Sequence, residues 1–241
     1  MLPINQIICG DCLEVMKDWP DNCVDLVLTD PPYGVALGSR KNNNYEKAGY
    51  DKIEDTPEYI TETIIPAIRL FISKYGRVVV TPGTRNAFDY PKPIEIGAIF
   101  NPAGAYCGRW GFTCYQPILY YGKDPLIATG RGCYPNSFAP KDNRKENVPH
   151  PYPKPLSWMK WFVQRCSLEE ETILDPFCGS GTTCVAAKML GRNYIGIDIS
   201  EEYCEIARQR LKAVDTGVPV KEQRQGQMAL FEEQGCSDQT K

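Results

Sequence analysis

An α/β fold built on a parallel sheet with crossover helices is what this 241-residue sequence predicts. Three observations carry the expectation. Short apolar strands alternate with helix-length amphipathic stretches, two strands run directly into proline- or glycine-rich turns, and the alternation lapses in the middle and resumes at Leu156. In order, Asn5–Gly10 reads as a short strand and Cys12–Trp19 as a helical turn or two. Val24–Thr29 (VDLVLT) is a buried strand that ends at Asp30-Pro31-Pro32. Between Pro57 and Tyr75, apolar residues at Ile60, Ile64, Ile65, Ile68, Phe71 and Ile72 follow the helical period; Gly76 stops the helix, and Arg77–Thr81 is the next strand.

From Tyr90 to Pro155 prolines, glycines and aromatics dominate. One long strand is expected around Gln116–Tyr121, and residues 125–150 read as loop with turns. Regularity then returns as helix Leu156–Cys166, strand Thr172–Leu174, helix Thr182–Leu190, strand Tyr194–Ile197 and helix Glu201–Val214. The last helix opens on Glu201-Glu202 and carries Arg208, Arg210 and Lys212 towards its end, charges that suit the helix dipole. Beyond Asp215 the chain is polar and is expected to be mobile.

Composition excludes several classes. No apolar run approaches the roughly 20 residues of a membrane span, and the N-terminus lacks the basic start and apolar stretch of a signal peptide, so a cytoplasmic protein is expected. There are eleven cysteines but one histidine, His150. Cys9 and Cys12 form a lone C-x-x-C with no second pair, so no metal site is expected, and the thiols read as small core residues. Net charge is −3, yet residues 123–165 hold Lys123, Arg131, Lys141, Arg144, Lys145, Lys154, Lys160 and Arg165 against Asp124, Asp142 and Glu146. A basic stretch in an acidic protein suits either a one-sided phosphate surface or a solvated loop.

Two turns carry chemistry. Ile173-Leu174-Asp175-Pro176-Phe177-Cys178-Gly179-Ser180-Gly181 is a strand entering a glycine-rich turn that opens a helix, and Tyr194-Ile195-Gly196-Ile197-Asp198 is a strand ending in a carboxylate suited to ribose hydroxyls. A dinucleotide fingerprint would need glycine where Cys184 stands. In Asp30-Pro31-Pro32-Tyr33 two prolines stiffen a turn at a strand's C-terminal end. The turn offers a carboxylate, free carbonyls and an aromatic face, an inventory that fits an exocyclic amine with two N–H donors on a stacked base.

Together, Asp30-Pro31-Pro32-Tyr33 and the Asp175–Gly181 turn resemble the DNA amino-methyltransferases of the β class, in which the catalytic motif precedes the cofactor motif. The resemblance covers most of residues 4–212 and implies a Rossmann-like S-adenosylmethionine-dependent methyltransferase fold. That fold is a mostly parallel twisted sheet with helices on both faces and a circularly permuted motif order. It implies a methyltransferase domain over 1–215, with a catalytic half (1–123), a target-recognition insert (124–150) and a cofactor half (151–215), followed by a tail (216–241). Asp30, Pro31, Pro32 and Tyr33 would be catalytic. Asp11, in Gly10-Asp11-Cys12, would hold the cofactor's adenine, and Lys154, in the His150–Pro155 segment similar to H-P-x-x-K-P, would belong to the cofactor site. Asp175, Phe177, Cys178, Gly179, Ser180 and Gly181 would surround the methionine part, and Asp198 the ribose.

The first-position aspartate leans towards adenine N6 over cytosine N4. The absence of a Pro-Cys dipeptide removes cytosine-C5 chemistry. DNA contacts are expected from Arg40 and Lys41 in loop 34–55, and from Arg131, Lys141, Arg144 and Lys145. Segments this short imply either a brief recognition site or help from a second subunit, as in a homodimer. Gln227-Met228-Ala229-Leu230-Phe231 resembles the Q-x-x-L-F peptide that docks on bacterial sliding clamps.

Overall fold

The structure is a computed structural model of the chain. It describes residues 1–34, 55–102, 106–108, 110–141 and 153–217. Arg40, Lys41, Arg144, Lys145, His150 and the segment Gln227–Phe231 lie outside the described residues.

One seven-stranded sheet organises the molecule. Its strands are β1 (Gln6–Cys9), β2 (Leu26–Thr29), β3 (Val78–Val80), β4 (Glu95–Phe100), β7 (Tyr115–Tyr121), β8 (Thr172–Asp175) and β9 (Asn193–Asp198), in the order β1-β9-β8-β2-β3-β7-β4. β1, β9, β8, β2 and β3 pair in parallel, whereas β7 runs antiparallel to both β3 and β4. A separate hairpin is formed by β5 (Tyr106–Gly108) and β6 (Gly111–Thr113). The sheet is thus mostly parallel, as the strand–helix alternation predicts.

Helices cover both faces. The period-2 alternation of a strand sends Leu26 and Leu28 into one core and Val27 into the other. On the first face lie α6 (Leu156–Cys166), α7 (Thr182–Met189) and α8 (Glu201–Thr216), which bring Trp158, Phe162, Val185 and Ala207 onto Leu26, Ile118 and Ile173. On the second, α1 (Cys12–Met16) and α3 (Ile65–Tyr75) bring Met16, Ile68 and Phe71 onto Val78, Leu174 and Ile195. Each large aliphatic or aromatic side chain so buried contributes about 1.5–3 kcal/mol.

The expected helix over Pro57–Tyr75 is interrupted. A short α2 (Pro57–Tyr59) is capped by Thr56, whose hydroxyl accepts from the Tyr59 N–H. A π-helical turn follows over Ile60–Ile64 before α3 begins. Pro66 supplies the reason: it has no N–H for an ordinary helical bond, and its ring crowds the carbonyl one turn back. The apolar stripe survives, and Ile60, Ile64, Ile68 and Phe71 are all buried.

The middle of the chain holds more structure than its proline and glycine content suggests. β4 and the hairpin both lie there, with a single-turn helix, α5 (Pro125–Ala128); a second single-turn helix, α4 (Gly83–Asn86), lies before it, just after β3. The start of the expected recognition insert is fastened down. Asp124 caps α5 and pairs with Arg165 of α6 at 2.6 Å, while Phe138 bridges to Ile99 and stacks on Trp161 with ring centroids 4.1 Å apart. Arg165 therefore belongs to an ion pair and adds no free charge to the basic stretch.

Candidate active site

β8 connects onward to its neighbour β9 on one side, and β2 to its neighbour β3 on the other. Between β2 and β8 the winding of the sheet reverses, and the turns leaving their C-terminal ends diverge to open a crevice. This topological switch point is where the two motifs meet. Thr29, the last residue of β2, donates its hydroxyl proton to Asp175 Oδ1 at 2.7 Å, which ties the two turns together.

The Asp30 carboxylate is held from three sides. Its Oδ1 accepts from the hydroxyls of Tyr33 and of Thr81, the latter at 2.5 Å, and its Oδ2 accepts from the Lys154 ammonium at 2.6 Å. A carboxylate has about four lone-pair sites. Among the described residues three are filled, which leaves one on Oδ2. Lys154 also donates to the Tyr33 hydroxyl at 2.9 Å and lies 5.0 Å from the centre of its ring.

Tyr33 is positioned from below by α4. Its ring lies so close to Gly83 that a β-carbon there would come within 3.1 Å of it, and Gly83 has φ of +71°, which also favours glycine. Asn86 donates to the Tyr33 carbonyl at 2.8 Å, and the Gly34 N–H donates to the buried carboxylate of Asp55 at 2.6 Å. Thr81, Gly83, Asn86 and Asp55 carry no sequence motif. Thr81 and the Gly83 turn could be anticipated only from following a strand beside β2 in the sheet.

At the glycine turn the expected ligands divide. Phe177 and Gly179 are partly accessible, whereas Asp175, Cys178, Ser180 and Gly181 are buried. Asp175 accepts from the Phe177 N–H as well as from Thr29. Gly181 has φ of +76° and faces Ala207 of α8 so closely that a β-carbon would sit 2.6 Å from the Ala207 β-carbon. Behind the turn stands Arg210. The sequence reads it as one of the charges near the end of the last helix that suit the dipole, but it is 5% exposed. Its guanidinium donates to the Ser180 carbonyl and, at 3.0 Å, to the Thr182 hydroxyl. Arg210 falls in register with the apolar stripe of Tyr203, Ile206, Ala207 and Leu211, a signal in the sequence that points inward.

Along the same edge, Asp198 ends β9. Its Oδ2 accepts from the Gly179 N–H at 2.8 Å and its Oδ1 from the Ser200 N–H at 2.9 Å, so among the described residues two acceptor sites remain, and burial pushes its carboxyl above the usual range. Asp11, at the end of β1, caps α1 through Oδ1, which accepts from the Leu13 and Glu14 N–H groups; its Oδ2 has no partner among the described residues. The Gly10 N–H donates to the Asp198 carbonyl and keeps the two acidic ends adjacent. Arg131 and Lys141 are exposed. The C-x-x-C cysteines part company. Cys12 is buried, and burial pushes its thiol up to about 12. Cys9 instead stands with Cys204 and Glu201, their donor atoms within 4.8 Å of one another, where Arg208 already pairs with Glu201 at 2.6 Å.

Burial, outweighing its hydrogen bonds, raises the Asp175 carboxyl to about 6. An acid whose folded-state value lies above its unfolded value of about 3.9 holds its proton more tightly when folded. Stability then falls as pH rises from about 4 to about 6, by up to roughly 3 kcal/mol. Asp175→Asn keeps the oxygen that accepts from Thr29 and Phe177 and removes the titration. Its denaturant midpoint, measured beside that of the parent chain between pH 4 and 7, is expected to gain on the parent as pH rises; parallel curves would refute the assignment.

An open, mostly parallel sheet with a glycine turn at the tip of one strand and a carboxylate at the tip of the next has the architecture of α/β methyltransferases. Comparison with known proteins agrees. Residues 132–209 match a family model described as DNA methylase, of the N6/N4 methyltransferase type. YubD of Escherichia coli K12, described as "Putative methylase YubD", is 32% identical over 223 residues, spanning 88% of this chain and 92% of its own length. The type II methyltransferase M.HpaI of Haemophilus parainfluenzae is 28% identical over 88% of this chain and 76% of its own. Among solved structures, the cytosine-N4-specific PvuII DNA methyltransferase superposes with a TM-score of 0.61 at 17% identity, covering 91% of this chain and 89% of that one. A complex of M1.HpyAVI with SAM gives 0.56 at 20% identity, covering 86% and 98%. At such identities the likeness is one of fold. With the relatives in sequence it is decisive: the chain belongs to the DNA amino-methyltransferase family.

Proposed function

We propose that this chain methylates the N6 amino group of adenine at a specific site in DNA, with S-adenosylmethionine as methyl donor. The observation that carries the proposal is the single acceptor site left on Asp30 Oδ2, beside a tyrosine ring held by its hydroxyl and its underside. When bound, S-adenosylmethionine supplies an electrophilic methyl group. Its extended shape suits the row of polar groups along the strand ends. The free Oδ2 of Asp11 would take the adenine amine, the two open sites of Asp198 the ribose hydroxyls, and the accessible Gly179 and Phe177 would line the remainder.

On the catalytic side, a flipped base stacks on Tyr33. One amine N–H donates to Asp30 Oδ2 and the other to the Pro31 carbonyl, which turns the nitrogen lone pair towards the methyl group. The gain is one of positioning and of a fixed negative charge where positive charge develops on nitrogen. As the N–C bond forms, the donor's sulfur–methyl bond would break with its electron pair staying on sulfur, which would leave as a neutral thioether, and the surplus amine proton would pass to Asp30 Oδ2. The preference for adenine rests on aspartate at the first position of the Asp30–Tyr33 motif. Type II relatives support a modification enzyme that would pair with a restriction activity.

The decisive measurement is methyl transfer from labelled cofactor to DNA, followed by digestion of the product to nucleosides. N6-methyl-2′-deoxyadenosine as the labelled nucleoside is the expected result. Label found only in N4-methylcytosine would overturn the choice of base, and no label in DNA would overturn the proposed activity.

A further inference from the structure

The β5–β6 hairpin presents an aromatic surface that no other described element covers. Trp110, at its turn, is fully exposed (103%), and Phe112 of β6 and the adjoining Tyr115 at the start of β7 are 75% and 51% exposed. Soluble proteins rarely leave such side chains clustered in water without an interaction to make. Residues 110–115 line a cavity of about 340 Å³ whose other wall is Thr84. Thr84 belongs to α4, the turn on which Tyr33 rests: Gly83 lies under the Tyr33 ring and Asn86 holds the Tyr33 carbonyl. The aromatic surface is therefore continuous with the wall of the catalytic crevice through a single turn of chain. The same turn exposes Arg85, which has no side-chain partner among the described residues.

We propose that the hairpin, with Trp110 as its principal contact, is a nucleobase-stacking surface that engages DNA beside the catalytic crevice. The chemistry selects this occupant. Flat, fully accessible aromatic faces stack on bases without regard to sequence, and an unpaired arginine beside them suits the phosphate of the same strand. Extruding a base into the crevice leaves its former neighbours unstacked, and an aromatic surface at the mouth offers them a replacement. The inference rests on DNA as the substrate.

Salt separates this contact from the expected lysine and arginine contacts. Stacking contributes affinity without displacing counterions, whereas each phosphate contact steepens the dependence of log K on log salt concentration. The test is a binding titration of the full chain against a duplex carrying its own methylation site, at several salt concentrations. Trp110→Ala, Trp110→Phe and the triple alanine change at Lys141, Arg144 and Lys145 serve as variants. Trp110→Ala is expected to weaken binding roughly ten- to a hundred-fold with an unchanged slope. Trp110→Phe retains most of the affinity, and the triple variant flattens the slope.

Cofactor affinity equal to that of the parent chain verifies that each variant is folded. Unchanged DNA affinity in Trp110→Ala, or a loss accompanied by a flatter slope, overturns the proposal. So does a change from dimer to monomer with affinity per protomer intact, which would mark the surface as a self-association face. A parent chain that binds no DNA would instead refute the function on which the inference rests.

Discussion

Asp30→Ala is expected to lower the rate of methyl transfer by roughly 10²–10⁴-fold while cofactor affinity stays within about two-fold of the parent value. The carboxylate does two things no neighbour can replace. In the proposed reaction it would supply the acceptor that orients the amine, and would place negative charge beside a nitrogen that becomes positive in the transition state. Thr81 and the Tyr33 hydroxyl are donors to Asp30 in the structure, and Lys154 is a cation with no lone pair to offer. Removing Asp30 also leaves the Lys154 ammonium without its counter-ion, at a point where it would repel the developing charge. Asp30→Asn sharpens the test, because it keeps shape and one acceptor oxygen but not the charge. Single-turnover rates measured at saturating cofactor, beside calorimetric cofactor affinity, decide the matter. A variant that lost cofactor binding and turnover in parallel would move Asp30 from the reacting atoms to the cofactor site.

Much of this arrangement can be read in the sequence, and the exceptions share one physical cause. The strands β2, β8 and β9 announce themselves as apolar runs ending in Asp30, the glycine turn and Asp198. Their adjacency follows from the switch point, which is a property of topology. What escapes are contacts made across the sheet. Thr81 lies 51 residues from Asp30, and Lys154 lies 121 from Tyr33; neither pairing leaves a local pattern. β4 is hidden for a different reason. As the edge strand it has apolar residues, Ile96 and Phe100, on its exposed side and Gly97 in its middle, so the in–out alternation that reveals a half-buried strand is blurred. Arg210 misleads because charge in a helix usually faces water; its register with Ala207 and Leu211 was the stronger signal.

Lys154 carries the second large effect, and here structure and resemblance point in different directions. The motif similarity puts this lysine at the cofactor, whereas the structure sets its ammonium on Asp30 Oδ2 at 2.6 Å and on the Tyr33 hydroxyl at 2.9 Å. One side chain thus contacts both groups that the proposed reaction makes catalytic. It restrains the rotation of the carboxylate so that the remaining lone pair keeps its direction, and it anchors the far end of the ring on which, in the proposed reaction, the base would stack. Lys154→Met preserves the length of the aliphatic stem and removes the charge and the donors. At saturating cofactor its transfer rate is expected to fall about 10–100-fold, the scale of a misplacement of about 1 Å in reacting groups. Cofactor affinity and its KM stay near the parent values. A purely structural role would lower active-site content without changing the rate per active molecule, so active enzyme is titrated first. The double variant with Asp30→Asn supplies the stricter criterion: if Lys154 acts through Asp30, its removal costs little once Asp30 has lost its charge. Weakened cofactor binding with an unchanged saturated rate would return Lys154 to the cofactor site. Additive losses in the double variant would show that it acts on something other than Asp30.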